Sequence, residues 1–437
     1  SKRRSACGSR VCRRTMGGGS SAPVDTFTIQ YNDGGAGGAA PGGAKKKGKK
    51  NKVGDAAVEQ TPVEEIGGAA AGAAAALAGK GKPSAAKAKM LKAKNALAVQ
   101  RAFSNAGEMR GQREHRKANS KHGWIAKDMT VGPNCTVKKF EVDRIIGMGL
   151  MGTVRIAKWK KDNTYCVVKA IKKDYVTRHN DGRHVQNERR ILNDLDHPFI
   201  VRLFGTFQDP HRIFFVMEYI AGGELFSRLV KKDSFSANVS KFYIAEIFLA
   251  LEYIHESGYC YRDLKPENIM LDEEGHCKVV DFGFCRSCGA DERMKTQVGT
   301  PAYLSPEQLD GKFTGGYTRI VDWWSLGIIT YELMSGKTPF CKSNRESSYA
   351  IYMRVQKGKF SFNKKFDNEV KDLVKKLLTA DVSKRLTSPT EIRAHPWFAD
   401  IQFDRVASRR MVPPHVPSIG EPGDTHYFDE YAEEGEY

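Results

Sequence analysis

The sequence predicts an α+β protein in which a small, strand-rich lobe is followed by a large helical lobe. Short apolar segments typical of strands cluster between residues 140 and 218, with one helical stretch among them. From Glu224 onward, apolar residues recur at the spacing of helices. Between those helices, an irregular stretch at 260–310 carries most of the polar motifs. Catalytic residues are expected there, because loops held by a rigid scaffold commonly carry function.

The individual elements follow from the same apolar patterns. Strands are expected at 140–146, 153–159, 164–171, 201–207 and 212–218. The helix among them is expected at 182–195, with apolar positions at Val185, Ile191, Leu192 and Leu195. Further helices are expected at 240–257, 320–335, 346–357 and 367–378.

Composition divides the chain into segments. Residues 1–130 contain 25 Lys and Arg against 9 Asp and Glu, so most of the formal net charge of +19 lies there. Residues 17–83 are rich in Gly, Ala and Lys and bury too little apolar surface to offset the entropy of ordering. We expect a disordered basic arm at 1–83 and a helical or linker segment at 84–136, with a helix at 84–105. Order should begin near Val137. The catalytic domain should span 140–398, divided near 219, before an extended tail at 399–437.

The basic arm admits more than one role. It can be a solvated tail, or it can meet an anionic membrane or acidic proteins. Aromatic residues that stack on bases are nearly absent from 1–130, so specific nucleic-acid binding is not expected. Met16–Ser21 fits the myristoylation pattern, with Gly17 as acceptor, and the basic run at 45–52 would add a second membrane signal. A chance match is the alternative.

Cysteine usage indicates a reduced, cytoplasmic protein. The chain has nine cysteines, and its first 15 residues are basic without the apolar core of a secretory signal. Cys285 and Cys288 form a C-x-x-C pair, but no second pair lies near enough to complete a zinc site. We expect free thiols. The alternative is redox control, because Arg286 between them would favour a thiolate.

A glycine-rich motif lies between the first two predicted strands. It comprises Gly147, Met148, Gly149, Leu150, Met151, Gly152, Thr153 and Val154. The same G-x-G-x-x-G spacing occurs in dinucleotide-binding folds, but there a helix follows. Here β-branched residues follow and predict a strand. Such a hairpin can lay backbone N–H groups over phosphates.

Charged residues downstream of this motif complete a set. Lys169 lies among apolar strand residues, where it needs a partner, and Glu188 is the natural one. Taken alone, the pair could be an ordinary surface salt bridge. However, Asp263 follows in an R-D-x-K-x-x-N motif, and 18 residues later Asp281 opens Asp-Phe-Gly.

Phosphoryl transfer needs a cation on the phosphates, oxygen ligands for Mg²⁺, and a carboxylate that takes the proton of the attacking hydroxyl. The motifs above, followed by Ser-Pro-Glu at 305–307, stand in the order of the protein-kinase signature. We therefore predict transfer of the γ-phosphoryl group of ATP to a protein hydroxyl, with Asp263 as the catalytic base.

Over about 140–437 the sequence resembles the AGC group of serine/threonine protein kinases. It is most similar to the catalytic subunits of cAMP-dependent protein kinase, and the cGMP-dependent kinases are also similar. Tyr261 before Arg-Asp, the D-W-W-x-L-G motif at 322–327 and the tail segment at 423–431 carry the resemblance. It implies a bilobal kinase fold with ATP and Mg²⁺ in the cleft, and a C-terminal tail that wraps the small lobe.

The resemblance also implies roles for single residues. Lys169, paired with Glu188, would contact the phosphates, and Lys265 would stabilise the transferred phosphoryl group. Asn268 and Asp281 would hold Mg²⁺. The other residues expected around the nucleotide are the glycine motif, Val167, Met217, Glu218, Ile220, Glu267, Met270 and Phe428. Leu192, Leu203, Tyr261 and Phe282 would stack between the lobes, and Glu307 would pair with Arg385.

Substrate and activation residues follow from the same resemblance. Glu224, Glu267 and Glu332 would bind arginines two and three residues before the phosphoacceptor, so protein substrates with upstream arginine are expected. Gln297, Pro301 and Leu304 would meet the residue after it. Thr296 would be the activating phosphosite, with His184, Arg262 and Arg286 around its phosphate.

Three departures from the close relatives leave finer points open. Ala302 and Gln297 replace an acidic and an apolar residue, which affects substrate preference. Lys295 replaces a tryptophan that packs against the regulatory subunit in cAMP-dependent kinases, so cAMP, cGMP or neither can be the regulator. Because 1–135 is largely low-complexity, such control would need a separate cyclic-nucleotide-binding subunit. A pseudokinase scaffold is the remote alternative, against which the retained catalytic motifs argue.

Overall fold

The computed structural model describes residues 123–149, 151–179, 181–310, 315–343 and 346–432. The predicted basic arm, the helix at 84–105 and the acylation pattern at Met16 lie outside these residues. The described part confirms the predicted α+β fold, because a sheet-based small lobe precedes a helical large lobe along the chain.

The small lobe is built on a five-stranded antiparallel sheet with the order β1-β2-β3-β5-β4. Its strands are β1 (Phe140–Gly149), β2 (Gly152–Trp159), β3 (Tyr165–Lys172), β4 (Leu203–Gln208) and β5 (Arg212–Glu218). Two helices connect β3 to β4, namely α1 (Lys173–Arg178), which was not predicted, and α2 (Gly182–Asp194).

Helix α2 turns one face toward the sheet. Val185, Ile191 and Leu192, which the sequence indicated as apolar positions of this helix, are buried on that face. Glu188 is buried on the same face. The apolar pattern of the helix therefore aims this carboxylate into the interior, where it needs a cation.

Ordered packing begins earlier than expected. We expected order to start near Val137, but Ile125, Ala126 and Val131 are buried against the sheet. Two isolated bridges, Ile125 with Tyr165 and Val131 with Gly205, fix this upstream segment to β3 and β4. The domain boundaries themselves stay a prediction.

The large lobe contains the remaining elements, and no helix among the described residues is long and apolar enough to cross a bilayer. Its longer helices are α3 (Leu225–Lys232), α4 (Ala237–Glu256), α6 (Val321–Ser335), α7 (Ser348–Lys357) and α8 (Asn368–Leu377). Its shorter helices are α5 (Pro306–Leu309), α9 (Pro389–Arg393) and α10 (Phe403–Ala407). Its short strands are β6 (Tyr259–Cys260), β7 (Ile269–Leu271), β8 (Cys277–Val279) and β9 (Arg286–Ser287).

Helix α6 is the centre of the large lobe. It is apolar on all sides and is buried from Val321 to Met334, as expected for a helix enclosed by others. It packs between α4 and α8. At Gly327 a Cβ atom would lie 2.8 Å from the Cβ of Leu377, so glycine is needed for the close approach of α8.

A buried ion pair closes the lobe beside this helix. The predicted pairing of Glu307 with Arg385 is present, with Arg385 Nη1 2.5 Å from Glu307 Oε1 and Nη2 2.8 Å from Oε2. The guanidinium also lies 4.9 Å from the ring centroid of Trp324 on α6. Because both side chains are buried, water cannot solvate either charge if its partner is removed.

We expect Arg385→Met to lower the free energy of unfolding by about 3–5 kcal/mol, because Glu307 would remain as a buried charge without its partner. Urea denaturation followed by circular dichroism measures this. The control is Lys384→Met, which removes a 2.9 Å ion pair with Asp381 that is mostly exposed and should leave stability unchanged. Equal effects of the two substitutions would contradict the assignment.

Candidate active site

A cavity of about 510 Å³ separates the two lobes. Its walls come from the β1–β2 hairpin, β3, α2, the residues after β5, the 267–283 stretch and the C-terminal tail. The predicted nucleotide residues that line it are Gly147, Met148, Gly149, Met151, Gly152, Val154, Val167, Lys169, Met217, Glu218, Ile220, Glu267, Asn268, Met270, Asp281 and Phe428. Leu150 lies outside the described residues, and Thr153 is buried and does not line the cavity.

The glycine motif forms the turn of the β1–β2 hairpin. Met148 pairs with Thr153 and Gly149 pairs with Gly152, so a strand follows the glycines, as predicted. In a strand, successive side chains point to opposite faces. Gly152 and Val154 face the cavity, and Thr153 between them faces away, which explains its absence from the lining.

The tail closes the cavity on the side of the hinge, by which we mean the connecting residues Glu218, Tyr219 and Ile220. The ring of Phe428 stacks on that of Tyr219 with 5.8 Å between centroids. The hydroxyl of Tyr219 donates a hydrogen bond to the carbonyl of Asp424. Residues more than 200 positions apart in sequence therefore share one wall.

Lys169 and Glu188 form the predicted pair inside the cavity. Lys169 Nζ lies 2.5 Å from Glu188 Oε1. Burial disfavours the charged amine, but Glu188 and Asp281 together outweigh it, so the pKa of Lys169 is raised above its usual value. The structure thus places a permanent positive charge within the cavity, suited to a polyphosphate.

The carboxylate of Asp263 is held on both oxygens. Oδ1 accepts hydrogen bonds from the backbone N–H and the hydroxyl of Thr300, at 3.1 and 2.9 Å. Oδ2 lies 2.7 Å from Lys265 Nζ and 3.0 Å from Asn268 Nδ2. Burial raises the pKa of Asp263, although Lys265 partly offsets this. Such a fixed carboxylate with increased basicity is suited to accept a proton.

Asn268 and Asp281 line the same cavity, and both side chains carry oxygen atoms. Asp281 has a positive φ of 59°, and its Oδ1 accepts a hydrogen bond from the backbone of Gly283 at 3.1 Å. Within the described residues, no group of three or more His, Cys, Asp or Glu could hold a metal. A set of two oxygen ligands fits Mg²⁺, which keeps several waters and binds substrate phosphates.

Asp322, at the start of α6, anchors the segment that carries Asp263. It is fully buried, and its Oδ1 accepts a hydrogen bond from Arg262 N at 2.8 Å. Its Oδ2 accepts hydrogen bonds from Tyr261 N at 2.9 Å and interacts with His255 Nε2 at 2.8 Å. Arg262 has a φ of 71°, a conformation that costs about 1–3 kcal/mol and persists only when neighbours impose it. Asp322 imposes it.

The predicted phosphosite lies close to this segment. Thr296 is exposed, and its hydroxyl accepts a hydrogen bond from Arg262 Nη1 at 2.9 Å. Arg286 lies on β9 and pairs with Glu292 at 3.6 Å. His184 is half-buried in the first turn of α2. Of the three predicted basic residues, the structure shows Arg262 in direct contact with Thr296.

The three predicted substrate carboxylates lie in the large lobe. Glu332 on α6 is buried and accepts a 2.7 Å hydrogen bond from the hydroxyl of Tyr303. Burial raises the pKa of Glu332 to about 8. Burial also raises the pKa of Glu267, and neighbouring Glu224 adds to the effect. Glu267 Oε2 is buried and receives no hydrogen bond from the described residues, which leaves it available to an incoming cation.

The residues predicted to meet the position after the acceptor surround the turn at 297–304. Gln297 and Pro301 are exposed, whereas Leu304 is buried. The C-x-x-C cysteines nearby are buried free thiols, as expected. Burial raises the pKa of both Cys285 and Cys288, so the alternative of a thiolate favoured by Arg286 finds no support.

Sequence reasoning assigned no role to Thr300 or Asp322. Thr300 bonds Asp263 and also accepts a hydrogen bond from Lys265 at 3.1 Å. The only available signal was its place in the Gly-Thr-Pro segment next to the activation residues. The signal for Asp322 was a carboxylate next to two tryptophans in a mainly apolar helix, because a buried carboxylate requires partners.

Comparison with known proteins agrees with this geometry. Residues 140–398 match the family described as protein kinase domain. The cAMP-dependent protein kinase catalytic subunit of Dictyostelium discoideum is 41% identical over 302 residues, which cover 68% of this chain and 45% of that protein. The Homo sapiens catalytic subunit PRKX is 40% identical over 69% of this chain and 83% of its own length. For cAMP-dependent protein kinase type 3 of Saccharomyces cerevisiae, the values are 40%, 68% and 74%.

The family match spans both lobes and the glycine, R-D and D-F-G motifs at the cavity. The chain therefore belongs to the protein kinase family and is a serine/threonine protein kinase similar to the catalytic subunits of cAMP-dependent protein kinases.

Proposed function

We propose that this kinase phosphorylates Ser and Thr residues preceded by arginines in intracellular signalling proteins, with Asp263 as the catalytic base. The observation that carries the proposal is the buried Asp263 carboxylate, fixed between Thr300, Lys265 and Asn268 next to the cavity. Geometry and basicity both suit it to take the proton of a substrate hydroxyl.

Each neighbour of Asp263 has a distinct task in this mechanism. Thr300 and Asn268 fix the direction of the carboxylate, so the hydroxyl oxygen is aligned for attack. Lys265 compensates the negative charge of the carboxylate in the resting state. As the proton reaches Asp263, that attraction falls, and the ammonium group becomes available to the phosphoryl oxygens.

ATP is the phosphoryl donor, as in the family, and we assign its phosphates to Lys169 and the glycine turn. Asn268 and Asp281 would hold Mg²⁺, which neutralises phosphate charge when bound. Val154, Val167, Met270 and Phe428 would enclose the base, while the hinge backbone at Glu218 and Ile220 orients it. Met217 also lines the cavity, and we assign it the role of gatekeeper.

We expect Asp263→Asn to lower kcat by about 10²- to 10⁴-fold, because an amide cannot accept the proton. ATP binding should persist, since the residues assigned to the phosphates are unchanged. Incorporation of labelled phosphate and titration with a fluorescent nucleotide measure the two effects. Asp281→Ala should instead lose both Mg²⁺-dependent ATP binding and activity.

The matched control for the base is Asp404→Asn, an exposed aspartate on α10 far along the chain from the motifs. It should retain wild-type turnover. Near wild-type turnover of Asp263→Asn would overturn the base assignment.

We further propose that phosphorylation of Thr296 activates the enzyme. Its hydroxyl already contacts Arg262, whose backbone is fixed beside Asp263. A phosphate at this position would make charge-assisted hydrogen bonds to Arg262, with His184 and Arg286 as the other basic residues assigned to it. The activation segment would thereby be tied to the catalytic segment.

We expect Thr296→Ala to lose most activity, because no phosphate can then bind Arg262. Steady-state kinetics with mass spectrometry of the activation segment measures this. The control is Thr379→Ala, a half-buried threonine after α8 whose hydroxyl bonds only locally to Lys375 O among the described residues. A fully active, unphosphorylated Thr296→Ala enzyme would refute the proposal.

The preference for arginine rests on the chemistry of Glu224, Glu267 and Glu332. Carboxylates pair bidentately with guanidinium, which lysine imitates poorly. Burial raises the pKa values of Glu267 and Glu332, and neither carboxylate has a cation in ion-pair contact among the described residues. An arginine pair would supply that cation. Gln297, Pro301 and Leu304 would contact the residue after the phosphoacceptor. Because Gln297 replaces an apolar residue, we expect only a modest preference for bulky apolar side chains at that position.

We expect a positional peptide library to select Arg-Arg-x-Ser/Thr, and Glu332→Gln to raise KM for such a peptide about tenfold or more, since a hydrogen bond to a charged group is lost. The pKa of Glu332 near 8 adds a pH signature. As pH rises through 8, Glu332 ionises, so KM for the arginine peptide should fall in the wild type and not in Glu332→Gln.

The control for Glu332→Gln is Glu369→Gln, which changes an exposed glutamate on α8. Ser305→Ala would not serve, because Ser305 caps α5. Glu369→Gln should leave the library profile unchanged. Selection for acidic residues or for proline beside the acceptor would overturn the substrate assignment.

The names of the relatives motivate a proposal on regulation. We assign cyclic-nucleotide control to a separate subunit that binds the kinase. Lys295, at the position of a tryptophan in cAMP-dependent enzymes, is exposed and would alter that interface. Co-purification from native extract, followed by release with cAMP or with cGMP, shows whether cAMP, cGMP or neither regulates the kinase. We place the enzyme in the cytoplasm, with peripheral membrane contact through the basic arm if Gly17 is acylated.

A further inference from the structure

We propose that Lys127, which lies upstream of the matched kinase domain, is a positioning residue for ATP: it joins the hinge to the large lobe and thereby sets nucleotide affinity. The proposal rests on the nucleotide role assigned above to the hinge. It concerns a residue that no kinase motif includes.

Backbone contacts fix the segment that carries Lys127. The carbonyl of Trp124 accepts a hydrogen bond from Tyr165 N at 2.6 Å, and Ala126 N donates to Tyr165 O at 2.8 Å. Farther along, Val131 N donates to Phe204 O at 3.2 Å. The segment is therefore attached to β3 and β4 on both sides of Lys127. The backbone of Lys127 is thus held in place relative to the groups that its ammonium contacts.

Lys127 makes two ion pairs, one to each lobe. Its Nζ lies 3.7 Å from Glu218 Oε1 in the hinge and 2.6 Å from Glu273 Oε1 in the turn between β7 and β8. Both carboxylates are buried. One ammonium group thus bridges the end of the small-lobe sheet and the large lobe.

A closed set of contacts links Lys127 to the hinge backbone. Arg202 Nη1 donates to the carbonyl of Lys127 at 3.0 Å. The carbonyl of Arg202 accepts a hydrogen bond from Glu218 N at 2.9 Å. Glu218 returns to Lys127 through its side chain. A displacement of Lys127 would therefore shift the hinge backbone, which orients the adenine in the proposed function.

The electrostatic balance gives Lys127 its importance. Glu218 also pairs with the fully buried Lys278 at 2.7 Å. Burial opposes ionisation of Glu218, but Lys278 and Lys127 outweigh it and lower its pKa to about 2. Without Lys127, Glu273 would lose its 2.6 Å ion pair and remain as a buried charge, which is strongly unfavourable. The two lobes would separate locally to admit water.

Such a movement would change the wall of the nucleotide cavity and leave the position of the catalytic base unchanged. Trp124, three residues before Lys127, lies 6.2 Å from the ring of Tyr219, which in turn stacks on Phe428 in the cavity wall. Asp263 is instead fixed from α6 by way of Asp322 and Arg262. The two supports are separate, so KM for ATP and kcat should respond differently.

The test uses the full chain with an arginine-containing peptide. We expect Lys127→Met to raise KM for ATP and the dissociation constant of a fluorescent nucleotide about three- to tenfold. The value of kcat at saturating ATP and KM for the peptide should stay close to wild type. Lys127→Arg, which keeps the cation and hence the link between the hinge and the large lobe, should restore ATP affinity.

The control is Lys160→Met, an exposed small-lobe lysine in the turn after β2, which should leave every constant unchanged. Unchanged nucleotide affinity in Lys127→Met, or a fall in kcat alone, would overturn the proposal. If Lys127→Met fails to fold, Lys127→Gln gives the same test with a hydrogen-bond donor retained. An inactive wild-type enzyme would instead count against the proposed function, because nucleotide titration does not depend on transfer.

Discussion

The carboxylate of Asp322 is the contact on which the rest of the catalytic site depends. It joins the first turn of the most buried helix to the backbone of Tyr261 and Arg262. Buried carboxylates are tolerated when hydrogen bonds satisfy them, and here four groups approach the two oxygens. Because Asp263 is the next residue, its direction follows from this anchor. The side chain of Arg262 then extends the same order to Thr296.

The functional charges fall into two groups according to their partners. Lys169, Asp263 and Lys265 are each paired within the chain, so their charges are stabilised before any substrate arrives. Glu332 is buried and Glu267 is half-buried, neither forms an ion pair among the described residues, and burial raises the pKa of both. Groups held in this unfavourable state are typical of binding sites, where the ligand supplies the missing charge.

Much of this arrangement could be predicted from the sequence, because local patterns encode it. Apolar patterns located the sheet and the main helices, motif order identified the catalytic residues, and the resemblance to AGC kinases identified the other residues that line the cavity. Thr153 was included with its neighbours although strand alternation turns it away. The roles of Thr300 and Asp322, and the packing of residues 123–131, depend on contacts between distant positions that no local pattern reveals. The pairing of Arg286 with Glu292, only six residues along the chain, was also missed.

The wall formed by Phe428 has a consequence for the synthesis of the chain. The nucleotide cavity begins at Ile146 and is completed by a ring 282 residues later. Since proteins emerge from the ribosome with the N-terminal part first, both lobes can fold while this wall is still absent. A nascent or prematurely terminated polypeptide would thus contain every catalytic motif and still have an open nucleotide pocket. Full ATP affinity would therefore appear only after the tail has been translated.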